Sequence, residues 1–84
     1  MNFKHRRTLQ RIYARPIQSS IHWVDIEALL ISLDAEITEG RGSRVRIALS
    51  DVRAVFHRPH PKKETDRGAV VAMRRFLQTA GINP

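Results

Sequence analysis

Cysteine and long apolar runs are missing from this sequence of 84 residues, and acidic side chains are scarce. Without cysteine, disulfide bridges and thiolate chemistry are excluded. No stretch approaches the roughly 18 apolar residues of a membrane-spanning helix, so no membrane association is expected. A chain of this length forms one small domain. A small domain without disulfides suits the cytoplasm, which is the location that we predict.

The positive charge is the most informative feature of the composition. Fifteen Lys and Arg face only eight Asp and Glu, which leaves a net charge of +7. Most of the basic residues are arginines, whose planar forks match phosphate oxygens. Such a charge favours a polyanion through counterion release. The composition therefore indicates a nucleic acid or an acidic protein as the partner, and the two are not exclusive.

Helical periodicity is found within the first 33 residues. Residues 4–13 predict a short basic helix, which ends at Arg15-Pro16 because a residue before proline avoids the α region. Residues 17–21 read as a linker, and the sequence leaves open whether this first helix packs on the rest or projects as an arm. A second helix follows, with an i, i+3, i+4, i+7 stripe formed by Ile26, Leu29, Leu30 and Leu33. We therefore predict a basic N-terminal segment over 1–21 and a domain over 22–84.

The period then changes to that of strands. Residues 35–39 form a short mixed segment, the glycine-rich residues 40–43 predict a turn, and 44–49 and 52–57 alternate polar and apolar side chains around a turn at 50–51. A loop over 58–64 precedes a last helix capped by Thr65 or Asp66. Its predicted buried face comprises Ala69 or Val70, Met73, Phe76 or Leu77, and Ala80, with Arg74 and Arg75 outside it. The fold class is α+β, a three-stranded antiparallel sheet with helices on one face, in the order α-α-β-β-β-α.

One face of this sheet is predicted to be basic. If the apolar residues of 44–49 and 52–57 face the helices, alternation places Arg44, Arg46, Arg53 and His57 on the opposite face. None of these positions holds Asp or Glu, so the set has no neutralising partner of its own. The pattern is typical of a phosphate-binding surface, although an ordinary solvated face is the alternative.

Histidines are the only side chains here suited to acid–base chemistry near neutral pH. RNA cleavage needs a base for the 2′-hydroxyl, an acid for the leaving 5′-oxygen and cations for the developing negative charge. His57 or His60, with Arg44, Arg46 or Arg58, has the chemistry for these roles. The alternative is that both histidines only bind phosphate or order the loop. We predict no metal site and no cofactor, since the His57–His60 spacing has no convincing third ligand.

Four features follow one another in the last two-thirds of the chain: Gly42-Ser43, the strand pair, Pro59-His60 and a last helix that closes on Ala80-Gly81. With this ordered set, the chain from Trp23 to Gly81 resembles the HicA family of bacterial toxins. The resemblance implies a fold like the double-stranded RNA-binding domain, ribonuclease activity on mRNA as the toxin of a type II toxin–antitoxin system, and neutralisation by a HicB antitoxin.

The sequence departs from the family at one position that matters for chemistry. The family's catalytic histidine follows Gly-Ser by one or two residues, where this chain has Arg44 and Val45. Metal-independent cleavage of RNA would then depend on His57 or His60. The predicted RNA-binding residues are Arg44, Arg46, Arg53, Arg58, Lys62 and Lys63. Two alternatives stay open, namely a non-catalytic RNA-binding module and a basic subunit that serves an acidic protein partner.

Overall fold

Three helices and one antiparallel sheet follow one another in the order α-α-β-β-β-α in the computed structural model, which describes residues 1–84. The sheet has the strand order β1-β2-β3. The predicted fold class is therefore confirmed. None of the three helices is both long and apolar enough to cross a membrane. The elements are α1 (Phe3–Tyr13), α2 (Trp23–Ser32), β1 (Glu36–Glu39), β2 (Arg44–Leu49), β3 (Val52–His57) and α3 (Arg67–Thr79).

Local chemistry explains where the elements begin and end. The side chain of Asn2 accepts a hydrogen bond from the amide of His5 and caps α1, and Asp66 caps α3 through the amide of Ala69 at 2.8 Å. The two-residue turn between β2 and β3 places both Ser50 and Asp51 at positive φ. Such a turn matches the right-handed twist of the flanking strands, so β2 and β3 pair along their whole length.

The core lies between the sheet and the helices. Trp23, Phe56 and Phe76 form an aromatic chain across it, with ring centroids 6.1 and 5.9 Å apart. The inward residues of β2 and β3 belong to the same buried cluster as the apolar residues of α2 and α3, as alternation predicted. The buried apolar residues are Leu9, Ile12, Ile21, Trp23, Ile26, Leu29, Leu30, Val45, Ile47, Leu49, Phe56, Val70, Met73, Phe76 and Leu77.

Helix α1 packs against both other helices rather than projecting as an arm. Leu9 and Ile12 are buried in the same core cluster as the residues of the sheet. The hydroxyl of Tyr13 donates to the carbonyl of Ile82 at 2.5 Å, which ties the end of α1 to the segment after α3. Lys4 also pairs with Asp25 of α2 at 3.7 Å. The basic N-terminal segment therefore contributes directly to the hydrophobic core.

Arg74 corrects the predicted face of α3. This residue was placed outside the buried stripe, yet only 8% of it is exposed. Its guanidinium donates to the carbonyls of Ile12 at 3.0 Å and Ala14 at 2.9 Å, and it lies over the ring of Tyr13. These carbonyls end α1 and have no helical partner, so the arginine fork satisfies them. Apolar periodicity does not reveal a guanidinium buried for this purpose.

Candidate nucleic-acid interface

The face of the sheet turned away from the helices gathers the basic side chains of β2 and β3. Arg44 lies opposite His57 across the ladder, and two residues further along each strand Arg46 lies opposite Val55 on the same face. Arg53 lies opposite Ala48. Directly opposed residues point to the same side of a sheet, with Cβ atoms about 5 Å apart. Arg44, Arg46, Arg53 and His57 thus share one exposed surface, which we call the open face.

The arginines of the open face carry uncompensated charge. None of Arg44, Arg46 and Arg53 takes part in the four ion pairs of the molecule. The only hydrogen bond made by one of their guanidinium groups joins Arg46 to the backbone carbonyl of Glu39 at 3.4 Å. These groups are free to bind anions, and three of them on adjacent strands provide a surface for consecutive phosphates.

His57 lies at the end of the open face beside the Gly42-Ser43 turn. Its Nδ1 atom is 3.5 Å from the hydroxyl oxygen of Ser43, and the amide of Arg58 donates to the carbonyl of Ser43 at 2.8 Å. The turn between β1 and β2 is therefore held against the end of β3. The serine hydroxyl can orient the imidazole through Nδ1, which leaves Nε2 for a ligand.

Arg58 lies on the opposite side of the sheet from the open face. Its guanidinium donates two hydrogen bonds to the carboxylate of Glu27, at 2.7 and 3.2 Å, and one to that of Glu39 at 2.6 Å. The indole of Trp23 donates to the same Glu27 carboxylate. The two carboxylates raise the pKa of Arg58, and the hydrogen bond from Arg58 lowers the pKa of Glu39. In this arrangement Arg58 joins α2 to β1, with its charge neutralised.

The loop after β3 carries the other predicted site residues. His60, Lys62 and Lys63 are all exposed. The loop is anchored through its backbone, because the carbonyl of Lys63 accepts from the amide of Trp23 at 3.0 Å and the amide of Thr65 donates to Ile21 at 2.8 Å. The three side chains therefore project from a tethered loop that leaves the His57 end of the sheet.

Sequence reasoning missed the contribution of β1 to the open face. Glu36 lies opposite Ala48 and Thr38 lies opposite Arg46, so both share the face of the arginines. An open depression of about 370 Å³ lies between these side chains and those of β3. The available signal was Ile37, the apolar centre of β1, because an inward Ile37 turns both neighbours outward. The four predicted positions on β2 and β3 hold no acidic residue, but Glu36 of β1 adds a carboxylate to the open face.

The titratable side chains do not assemble a metal site. No group of three or more His, Asp or Glu residues is arranged to hold an ion. His57 and His60 therefore lack the third protein ligand that a zinc site requires.

Comparison with known protein families gives a match that includes all three strands of the sheet. A family described as the HicA toxin of bacterial toxin–antitoxin matches residues 23–82. The match begins with α2, includes the open face and its depression, and ends just after α3. Among curated proteins and among solved structures, no match was found.

Proposed function

Since this chain belongs to the HicA family of bacterial toxins, we propose that it is the cytoplasmic toxin of a type II system that binds and cleaves mRNA. The family match covers more than two-thirds of the chain. A toxin of such a system has an antitoxin as its partner, and we propose a HicB-like protein in this role.

The observation that carries RNA binding is the free charge of the open face. Arg44, Arg46 and Arg53 lie on two adjacent strands without carboxylate partners. A single strand of RNA laid over them exchanges its counterions for guanidinium groups, which favours binding at low salt. Lys62 and Lys63 are exposed on the tethered loop and are further candidate phosphate contacts. Arg58 is left out of this surface because Glu27 and Glu39 hold it.

His57 is the proposed acid–base residue. It lies directly opposite Arg44, one of the two positions after Gly-Ser at which the family's histidine is missing. His57 therefore supplies an imidazole next to that end of β2. As a base it takes the proton of the 2′-hydroxyl while the 2′-oxygen attacks phosphorus. The P–O5′ bond breaks, the 5′-oxygen gains a proton from an acid, and a 2′,3′-cyclic phosphate and a 5′-hydroxyl result. His60 is the candidate for that acid, and Arg44 stabilises the negative charge that develops on the non-bridging oxygens of the phosphate.

A non-catalytic RNA-binding module is the second candidate function. The observation that favours it is the replacement of the family's histidine by Arg44 and Val45 after Gly42-Ser43. Arginine binds phosphate but transfers no proton near neutral pH. In this case the open face retains its affinity for RNA and the chain inhibits translation by occupancy alone.

Cleavage of a labelled single-stranded RNA by purified protein tests the proposal, with His57→Ala and His60→Ala as variants. We expect His57→Ala to slow cleavage by about 10²–10⁴-fold, the usual contribution of one acid–base group. His22→Ala is the matched control, because His22 is also exposed and faces Glu64 at 3.7 Å, away from the open face. We expect its rate to stay within about twofold of wild type, as no step involves it.

Affinity measured in parallel distinguishes the two candidates. If wild type and both histidine variants bind RNA with the same affinity and none of them cleaves it, the chain is the non-catalytic module. Equal cleavage by wild type and His57→Ala removes His57 from the mechanism. Binding that does not weaken as salt rises from 50 to 200 mM contradicts phosphate contacts altogether. Growth arrest on expression, relieved by co-expression of a HicB-like antitoxin, tests the toxin assignment in cells.

A further inference from the structure

The depression in the open face is lined by residues from all three strands. Its outward side chains are Glu36 and Thr38 from β1, Arg46 and Ala48 from β2, and Arg53 and Val55 from β3. A carboxylate, a hydroxyl, two guanidinium groups and an apolar floor therefore meet within about 370 Å³. A surface that binds only the phosphates of RNA requires neither the carboxylate nor the apolar floor.

Glu36 is the unusual member of this set. Its carboxylate forms no ion pair, although two arginines line the same depression. A free carboxylate repels the phosphates that the surrounding arginines attract, so its presence weakens binding to the RNA backbone. It becomes favourable only where it accepts hydrogen bonds from the ligand. The donors that RNA offers are the edges of its bases and the ribose 2′-hydroxyls.

The shape of the depression favours a base. Glu36, Ala48 and Arg53 form one row across the three strands, so about 10 Å separates the outer two backbones. The small side chain of Ala48 leaves a gap between the carboxylate and the guanidinium. Beside this row lies Val55, of which 56% is exposed. Alanine and valine together provide an apolar floor on which the flat face of a base can pack.

Guanine is the base whose edges fit this row. Its N1–H and N2–H₂ groups are adjacent donors, which the two oxygens of one carboxylate accept side by side. Its O6 and N7 are adjacent acceptors, which one arginine fork satisfies. Adenine and cytosine present an amino donor beside a bare ring nitrogen, and uracil presents one donor between two carbonyls. A carboxylate repels each of these acceptors.

We infer that the depression is a guanine-binding subsite, with Glu36 reading N1–H and N2–H₂ and Arg53 reading O6 and N7. The inference rests on the proposed RNA-binding function and adds a base preference to it. Glu36 is a specificity-determining residue here and takes no part in proton transfer.

Fluorescence anisotropy with short single-stranded oligouridylates tests the inference. Each probe carries guanine, inosine, adenine, cytosine or uracil at one central position. A gel run after each titration checks that the probe has not been cleaved. We expect the guanine probe to bind wild type about 5- to 100-fold more tightly than the uracil probe, the range for one bidentate base contact. Inosine lacks the N2 amino group and should fall between them.

Two carboxylate-to-amide variants separate contact from charge. Glu36→Gln should reduce the guanine preference to what the Arg53 contact alone provides. It should bind the uracil probe at least as tightly as wild type, since a negative charge has left the face. Asp51→Asn is the matched control, because Asp51 is exposed in the nearby turn but does not line the depression. It should keep the full preference, and asparagine tolerates the positive φ of that position.

Each other outcome overturns the inference. Tight binding of all probes without a guanine preference, or a preference that Glu36→Gln leaves undiminished, leaves RNA binding intact and removes the subsite. A second probe set carries deoxyribose at the central nucleotide. If these probes bind wild type more weakly by the same factor for every base, and Glu36→Gln loses this difference, the carboxylate binds the 2′-hydroxyl instead of a base. Absence of affinity for every probe at low salt overturns the proposed function and the subsite together.

Discussion

Replacement of Arg74 by methionine tests whether a buried guanidinium joins the N-terminal helix to the rest of the fold. Arg74 is the only charged residue among the buried ones, and its two hydrogen bonds end on carbonyls of α1 and its cap. Methionine keeps most of the apolar stem and removes both donors. The variant therefore isolates the hydrogen bonds from the packing of the side chain.

The magnitude follows from these two bonds. A hydrogen bond from a charged group contributes about 1.5–3 kcal/mol, and part of this is offset because methionine is cheaper to bury than a guanidinium. We expect the free energy of unfolding of Arg74→Met to fall by about 2–4 kcal/mol. For a domain of this size the melting temperature should then drop by roughly 10–25 °C. Arg74→Lys should lie between, since one ammonium group cannot fork to both carbonyls.

Urea and thermal denaturation, followed by far-UV circular dichroism and by Trp23 fluorescence, provide the measurement. Arg75→Met is the matched control because Arg75 is adjacent and exposed, so its effect should stay within about 0.5 kcal/mol. Trp23 lies in α2 and circular dichroism reports all three helices, so coincident transitions indicate that α1 unfolds with the core. Equal destabilisation by Arg74→Met and Arg75→Met would refute the reasoning.

Three further predictions concern titration and salt. Burial raises the pKa of Tyr13, so the neutral phenol stabilises the folded state below pH 10, and this contribution is lost as pH rises through the folded-state pKa. In urea titrations between pH 9 and 11, the free energy of unfolding of Tyr13→Phe should therefore fall less than that of wild type. The hydrogen bond from Arg58 lowers the pKa of Glu39, so the ionised carboxylate stabilises the fold above the ordinary carboxyl pKa, and this contribution is lost as pH falls through the lowered value. The difference in free energy of unfolding between wild type and Glu39→Gln should therefore shrink from pH 7 to pH 3. A difference that stays constant over this range would contradict the prediction. Arg46→Gln should reduce the slope of log affinity for RNA against log salt by about 0.7, the value for one phosphate contact on a single strand, whereas Arg75→Gln should not change it if only the open face binds.

The residues of the open face show how far local patterns reach. Alternation along 44–49 and 52–57 predicted both strands with the bounds that the structure has. The short turn between them left only antiparallel pairing, so Arg44, Arg46, Arg53 and His57 had to share one side. The same holds for α2, where Ile26, Leu29 and Leu30 are buried as the 3.6-residue period indicates. The fourth residue of the stripe, Leu33, is half-buried just after the end of the helix.

Contacts between distant parts of the chain lay beyond such patterns. The register of β1 against β2 brings Glu36 into the arginine row, and a weakly patterned strand of four residues does not specify its register. Arg58 looked like a free cation until the fold placed Glu27 and Glu39 beside it, 31 and 19 residues away along the chain. Arg74 looked exposed until the carbonyls at the end of α1, about 60 residues away, were found to require its fork.

The sequence by itself therefore determined the order and type of the elements, and which side chains of β2 and β3 point away from the core. Those properties follow from the backbone period and the burial of apolar atoms, which act over neighbouring residues. Tertiary structure alone decided which charges are free and which are held. The charge state of a surface depends on partners that only folding brings within hydrogen-bonding distance.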